Sequence, residues 1–229
     1  MRCLVLLLLV ACSMDNGALG GTVADAQPPL SIDASDPTKP VISGFGDSIM
    51  LGTGATTNAK KWMALVATAR PAYNVINNSA GGREFYDFAA TAAQRDDLVR
   101  RFYGDTPRYI WIETSTNDWG SPHWTAAQFG TAYADVLDRI HALMPTVQVF
   151  AQSAIYRNSP PETNINAFGN TLADFRTAIA SACSGRSWCT YIDGSALVDY
   201  PANYGADLIH PNDAGHVQLK NAMLAALGI

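Results

Sequence analysis

Ser48 lies in Gly46-Asp47-Ser48-Ile49-Met50, just after the apolar run Val41-Ile42-Ser43-Gly44-Phe45. A serine hydroxyl is a weak nucleophile near neutral pH and needs a neighbouring base to take its proton. Far along the chain, Asp207-Leu208-Ile209-His210-Pro211 supplies one. A carboxylate three residues before an imidazole can reach back to Nδ1 through a turn. That fixes the tautomer whose Nε2 is free to accept a proton. Two further stretches offer donors for a developing oxyanion. In Asn77-Asn78-Ser79-Ala80-Gly81-Gly82-Arg83 a glycine lets a backbone N–H approach a ligand closely, and in Ser115-Thr116-Asn117-Asp118 the Asn117 amide is such a donor. Each stretch also has a plainer reading. Asp47 or Ser48 could simply cap a helix, Gly81-Gly82 and Asn117-Asp118 could be ordinary turns, and His210 could be a surface residue. Together the plain readings fare badly, because all four stretches fall just after strand-like runs.

Those runs are Val41–Phe45, Tyr73–Asn77, Arg108–Thr114, Val147–Ala154 and Cys189–Asp193. Helical patterns separate them at Ala59–Ala69, Phe85–Phe102, Ala126–Met144 and Ile165–Cys183, and Ala214–Leu227 closes the chain. Apolar strands alternating with helices predict a parallel sheet covered on both faces. Right-handed crossovers then give a three-layer α/β/α sandwich on five parallel strands. Its C-terminal edge carries Ser48, the glycines, Asn117 and the Asp207–His210 turn, where open α/β sheets place their ligands. One domain over 41–229 is expected, with no internal repeat.

A chain of 229 residues with a net charge of −5 has the wrong sign for nucleic acid. Its start, Met1-Arg2 followed by Leu4 to Val10 and Ala11-Cys12, reads as an export signal over 1–12. Leu9-Val10-Ala11-Cys12 resembles a bacterial lipobox, with Cys12 as the lipidated residue; an ordinary signal peptide is the alternative. The chain is then expected at the outer membrane or cell surface, or secreted if the lipobox is unused. Residues 13–40, rich in Asp, Pro, Gly, Ala and Ser and without period, read as a flexible linker. In an exported chain Cys183 and Cys189 are expected to form a disulfide, and no zinc-type spacing accompanies them.

In order and spacing the chain resembles the SGNH hydrolases, or GDSL esterases, from about Val41 to its end. Gly46-Asp47-Ser48-Ile49 matches the first block, Ser115-Thr116-Asn117-Asp118 the third and Asp207-Leu208-Ile209-His210-Pro211 the last. The resemblance implies the flavodoxin-like SGNH fold, with Ser48 as nucleophile, His210 as general base and Asp207 as orienting acid. Its oxyanion hole would be the Ser48 N–H, a glycine N–H and the Asn117 side chain. Counting from Asn77 favours Gly82 over Gly81 for the glycine. Ser115 stands where the family usually has glycine, which leaves the local turn open.

The expected activity is therefore cofactor-free and metal-free hydrolysis of carboxylic esters through an acyl-enzyme, on short acyl or acetyl groups, carbohydrate esters among them. An acyltransferase would use the same residues, and a non-catalytic carbohydrate-binding surface lipoprotein is the reading from another class. A monomer is expected, with a small-molecule or polysaccharide ester as partner and membrane contact only through the lipid anchor. Trp119, His123 and Trp124 could line an acyl or sugar pocket or pack in a core or lid. Trp111 reads as core, His141 and His216 as solvated helix residues, and Tyr156 and Arg157 as facing the cleft.

Overall fold

The computed structural model describes residues 36–229. The expected export signal, Cys12 and most of the expected linker lie outside the described residues. Residues 36–40 fold back onto the domain: the Asn74 side chain donates to the Asp36 carbonyl and the Asn74 N–H to the Pro40 carbonyl.

Five strands form one parallel sheet: β1 (Val41–Gly46), β2 (Asn74–Asn77), β3 (Pro107–Glu113), β4 (Gln148–Gln152) and β5 (Cys189–Ile192). Their order is β2-β1-β3-β4-β5, with every neighbour parallel. β1 is paired on both sides and buried along its whole length, which explains its unbroken apolar character. The chain leaves β1 toward β2 on one side and returns to β3 on the other. The crevice at this reversal is where such sheets bind ligands.

The helices are α1 (Ser48–Leu51), α2 (Trp62–Ala69), α3 (Tyr86–Ala89), α4 (Ala92–Asp105), α5 (Thr116–Gly120), α6 (Ala126–Leu143), α7 (Leu172–Cys183) and α8 (Asp213–Leu227). They cover both faces. On one, Ile110 and Ile112 of β3 meet Leu98, Phe102, Phe129, Tyr133, Phe175 and Ile179 of α4, α6 and α7. On the other, Ile42 and Trp111 meet Ile49, Trp62, Val66, Leu219 and Met223 of α1, α2 and α8. Alternation along β3 sends Trp111 to one core and its neighbours to the other, giving the three layers. Trp111 is fully buried, stacked on Phe150 at 5.4 Å.

Two of the expected helices break where side chains compete for backbone groups. The pattern over Phe85–Phe102 divides into α3 and α4 at Thr91, which caps Gln94 N–H while Gln94 caps Thr91 N–H. The pattern from Ile165 becomes helical only at Leu172. Before it, the Asn166 side chain accepts from the Phe168 and Asn170 N–H groups, Gly169 takes a φ of +77°, and Thr171 with Asp174 forms the cap. At the far end of α7, Cys183 is disulfide-bonded to Cys189 at the start of β5, with Cα atoms 5.4 Å apart.

Candidate active site

The β1 strand ends against Asp47, whose buried carboxylate accepts the Ile49 N–H at 2.8 Å and starts α1. The capping reading and the chemical one thus hold together, Asp47 making the turn on which Ser48 stands. Gly52, with a φ of +87°, ends this single helical turn. The Ser48 hydroxyl lies 2.8 Å from His210 Nε2, and His210 Nδ1 lies 2.6 Å from Asp207 Oδ2. Residues 162 positions apart are therefore joined in one hydrogen-bonded line.

The turn that presents His210 is shaped by its own carboxylate. Asp207 Oδ1 accepts the Ile209 and His210 N–H groups, each at 3.0 Å, while Oδ2 takes the imidazole. Leu208 adopts a φ of +57°, an uncommon conformation for a non-glycine residue, and so curls the chain around Asp207. Burial pushes the Asp207 carboxyl up, but the hydrogen bonds from the His210 ring and from the two backbone amides outweigh it and leave it at about 2. The carboxylate is thus ionised across the range in which an imidazole titrates.

Neighbouring contacts seat this turn against α1. A Cβ on Gly54 would lie 2.2 Å from the Pro211 carbonyl oxygen, so only glycine permits the approach. Thr56 donates to Asp213 through its N–H and its hydroxyl, each at 2.8 Å, and Lys60 pairs with the same carboxylate at 2.6 Å. These bonds tie the start of α8 to the loop that follows α1.

The donors lie on the other side of Ser48. Among the described residues the Ser48, Gly81 and Gly82 N–H groups have no hydrogen-bond acceptor. Of the two glycines, Gly82 takes the left-handed φ of +69°. The Asn117 amide donates one proton to the Arg83 carbonyl at 2.9 Å and lies 3.5 Å from Asp47 Oδ2, which leaves its second proton weakly engaged. Ser115 adopts a φ of +91°, a conformation suited to glycine, and its hydroxyl accepts the Ala154 N–H at 3.1 Å. The left-handed turn at this position is kept despite the substitution.

Other residues take defined places, some of them not the expected ones. Asp118 is no bystander of the motif: buried, it accepts the Phe85 and Tyr86 N–H groups, each at 3.1 Å, and so binds the glycine loop to α5. Burial raises its carboxyl to about 7. Trp119 and Trp124 are core residues, bonded through their indole N–H groups to the Asn170 carbonyl and to Asp118. His216 is not solvated: it is fully buried beneath the loop after α1, with Nε2 3.2 Å from the Thr53 carbonyl, and burial pulls it down to about 4. His141 is half-buried and stacked on Trp188 at 4.5 Å. Arg157 is buried over the Trp119 ring at 5.3 Å. His123 is exposed, stacked on Tyr86 at 4.3 Å, and with Tyr86, Gln128 and Thr131 lines a groove of about 740 Å³. Asp118 and Ser115 carried too little signal for these structural roles to be read, since single acidic and hydroxyl residues in turns are common.

A family model described as GDSL-like Lipase/Acylhydrolase matches residues 45–218, three-quarters of the chain and all four stretches. The chain belongs to the GDSL-like lipase/acylhydrolase family. It is accordingly a carboxylic ester hydrolase of the SGNH type, on the three-layer SGNH fold. No curated protein sequence matches it. Solved structures similar to this GDSL-family chain include a carbohydrate esterase family 3 protein from Talaromyces cellulolyticus, at 16% identity and a TM-score of 0.60, covering 82% of this chain and 96% of that one. A carbohydrate esterase family 2 enzyme from Corynascus thermopiles (Myceliophthora fergusii) is similar at 20% identity and a TM-score of 0.59, covering 83% and 67%. A family two carbohydrate esterase from Clostridium thermocellum, in complex with cellohexaose, is similar at 18% and 0.59, covering 82% and 65%. At these identities the likeness speaks for the fold.

Proposed function

We propose that the chain is a serine esterase that removes short acyl groups, acetyl foremost, from carbohydrate through an acyl-enzyme. The observation that carries the reading is the unbroken line from Ser48 Oγ through the His210 ring to Asp207. His210 Nε2 takes the hydroxyl proton as Ser48 Oγ attacks the ester carbonyl. The oxyanion accepts from the Ser48 N–H, the Gly82 N–H and the second Asn117 proton. His210 returns its proton to the departing alcohol, and a water activated by the same Nε2 releases the acid. Asp207 holds the ring in place and stabilises its cation throughout. Gly82 is preferred to Gly81 because its left-handed φ is the one that calls for glycine.

Carbohydrate as the alcohol is supported by the groove along α3, α4 and α6, where the Tyr86, His123 and Trp124 rings stand beside Gln128 and Thr131, with Arg95, Asp135 and Arg139 completing its lining. The carbohydrate esterases among the similar structures point the same way. The test is turnover of acetyl, butyryl and octanoyl nitrophenyl esters together with acetate release from an acetylated polysaccharide. Acetyl preference, polysaccharide deacetylation and a pre-steady-state burst support the reading. Octanoyl preference with no polysaccharide activity overturns its substrate. We also propose export and lipid anchoring at Cys12; a diacylglyceryl adduct on Cys12 in the mature protein is expected, and a mature terminus at another residue overturns it.

A further inference from the structure

Beneath the Ser48 turn lies a second carboxyl group that the reaction as described does not use. Gly46 and Glu113 are register partners at the ends of β1 and β3, and Glu113 pairs in turn with Gln152 of β4. Glu113 is completely buried, and its Oε2 would lie 3.0 Å from a Cβ placed on Gly46, so the side chain leans over β1 toward Asp47. The two carboxyl groups lie close enough together for each to shift the other's titration. Among the described residues no Lys, Arg or His lies within ion-pair distance of either.

Two ionised carboxylates so close together and out of water are untenable, so the pair must share a proton. Their surroundings decide which group holds it. Asp47 accepts the Ile49 N–H at 2.8 Å and faces the Asn117 amide at 3.5 Å, as a carboxylate would. No donor completes a hydrogen bond to either Glu113 oxygen, although the Asp47 and Met50 backbone amides lie near. Gln152 offers nothing either: its Oε1 is taken by the Trp111 indole at 2.9 Å and its Nε2 has no partner. A protonated Glu113 needs only one acceptor, and Asp47 is it. Burial pushes both carboxyls up, Glu113 well above the carboxylate range.

We propose that Glu113 is a positioning residue of the reaction: it carries the shared proton and donates it to Asp47, which then caps the turn bearing Ser48 and faces the Asn117 amide. The proposal rests on Ser48 and Asn117 acting as described above. Other titratable groups around the pair are His210, Arg157 and Arg83 on the Asp47 side and Asp118 nearby, with the Tyr133 phenol toward Glu113. The two guanidinium groups favour an ionised Asp47; Asp118 disfavours a second ionised carboxyl. Loss of the Glu113 proton at high pH would set two anions against each other and displace both the turn and Asn117.

The decisive measurement needs no variant and no turnover. Infrared difference spectra of the wild-type protein near neutral pH, with and without ¹³C-labelled glutamate, should show the carbonyl stretch of a protonated carboxylic acid that shifts with the label. Its absence overturns the proposal, whether or not the protein is active. Two variants add the functional arm. Glu113→Gln keeps a donor toward Asp47, and its kcat should stay within about threefold of wild type while the alkaline fall in activity disappears. Glu113→Leu removes the donor and should lower kcat by at least about tenfold with KM little changed. If Glu113→Gln is as impaired as Glu113→Leu, the shared proton is not what positions the site. Inactivity of the wild-type protein would instead overturn the esterase reading and leave the infrared result standing on its own.

Discussion

Gly54→Ala tests how the His210 turn is seated. A methyl group at this position would stand 2.2 Å from the Pro211 carbonyl oxygen and 3.2 Å from His210 Cβ, where ordinary contact begins at 3.4 Å. The Pro211 backbone must therefore yield by about 1.2 Å. It cannot do so alone, since Pro211 is bridged to Tyr204 and the adjacent His210 carbonyl accepts the Gly205 N–H at 2.8 Å. A shift of that size would carry His210 Nε2 from its 2.8 Å contact with Ser48 out of hydrogen-bond reach. Misplacing a catalytic group by about 1 Å costs on the order of 10²-fold in rate. The Gly54 φ of +94° adds strain of roughly 1–2 kcal/mol for alanine, which should appear separately as a lower melting temperature. Steady-state hydrolysis of nitrophenyl acetate gives kcat/KM, and a thermal melt shows whether the variant is folded at the assay temperature. The expected result is a folded protein with kcat/KM down by about two orders of magnitude. A folded variant with kcat/KM within about threefold of wild type would refute the seating argument.

Three further outcomes follow from the same geometry. Asn117→Ala removes an oxyanion donor and should lower kcat by roughly 10²–10³ with the fold intact; near-normal kcat would remove Asn117 from the oxyanion hole. His216, pulled down to about 4 by burial from an ordinary 6.5, binds fewer protons folded than unfolded between those values, so its contribution falls as pH drops. Relative to His216→Gln, wild-type stability should decline by roughly 3 kcal/mol from pH 7 to below pH 4 in urea titrations, and parallel pH curves would contradict this. Replacing Cys183 and Cys189 by serine should cost roughly 2 kcal/mol for so short a loop and leave kcat unchanged; a loss of kcat would mean that the bridge positions the site.

The fold was legible because its signals repeat. Five β-branched runs alternating with amphipathic stretches admit few arrangements, and the blocks carrying Ser48, Asn117 and the Asp207–His210 pair sit after strands in a fixed order. Helix ends were less legible where a side chain competes with the backbone, as at Thr91 and at Asn166, because such competition leaves no mark on hydrophobic periodicity. Burial of polar residues was the least legible. His216 lies on a helix of modest amphipathicity, and only the closeness of the Thr53 loop shows that its ring is enclosed. Glu113 was invisible for the same reason. A glutamate at a strand end reads as solvent-facing until the chain folds a second carboxylate against it.

The most direct test of the central claim is labelling of the purified protein with a fluorophosphonate probe, followed by mass spectrometry of its peptides. The account predicts a single phosphonylated peptide carrying the adduct on Ser48, lost in both Ser48→Ala and His210→Ala. A folded protein that takes up no probe, or takes it up on another serine, would contradict the account.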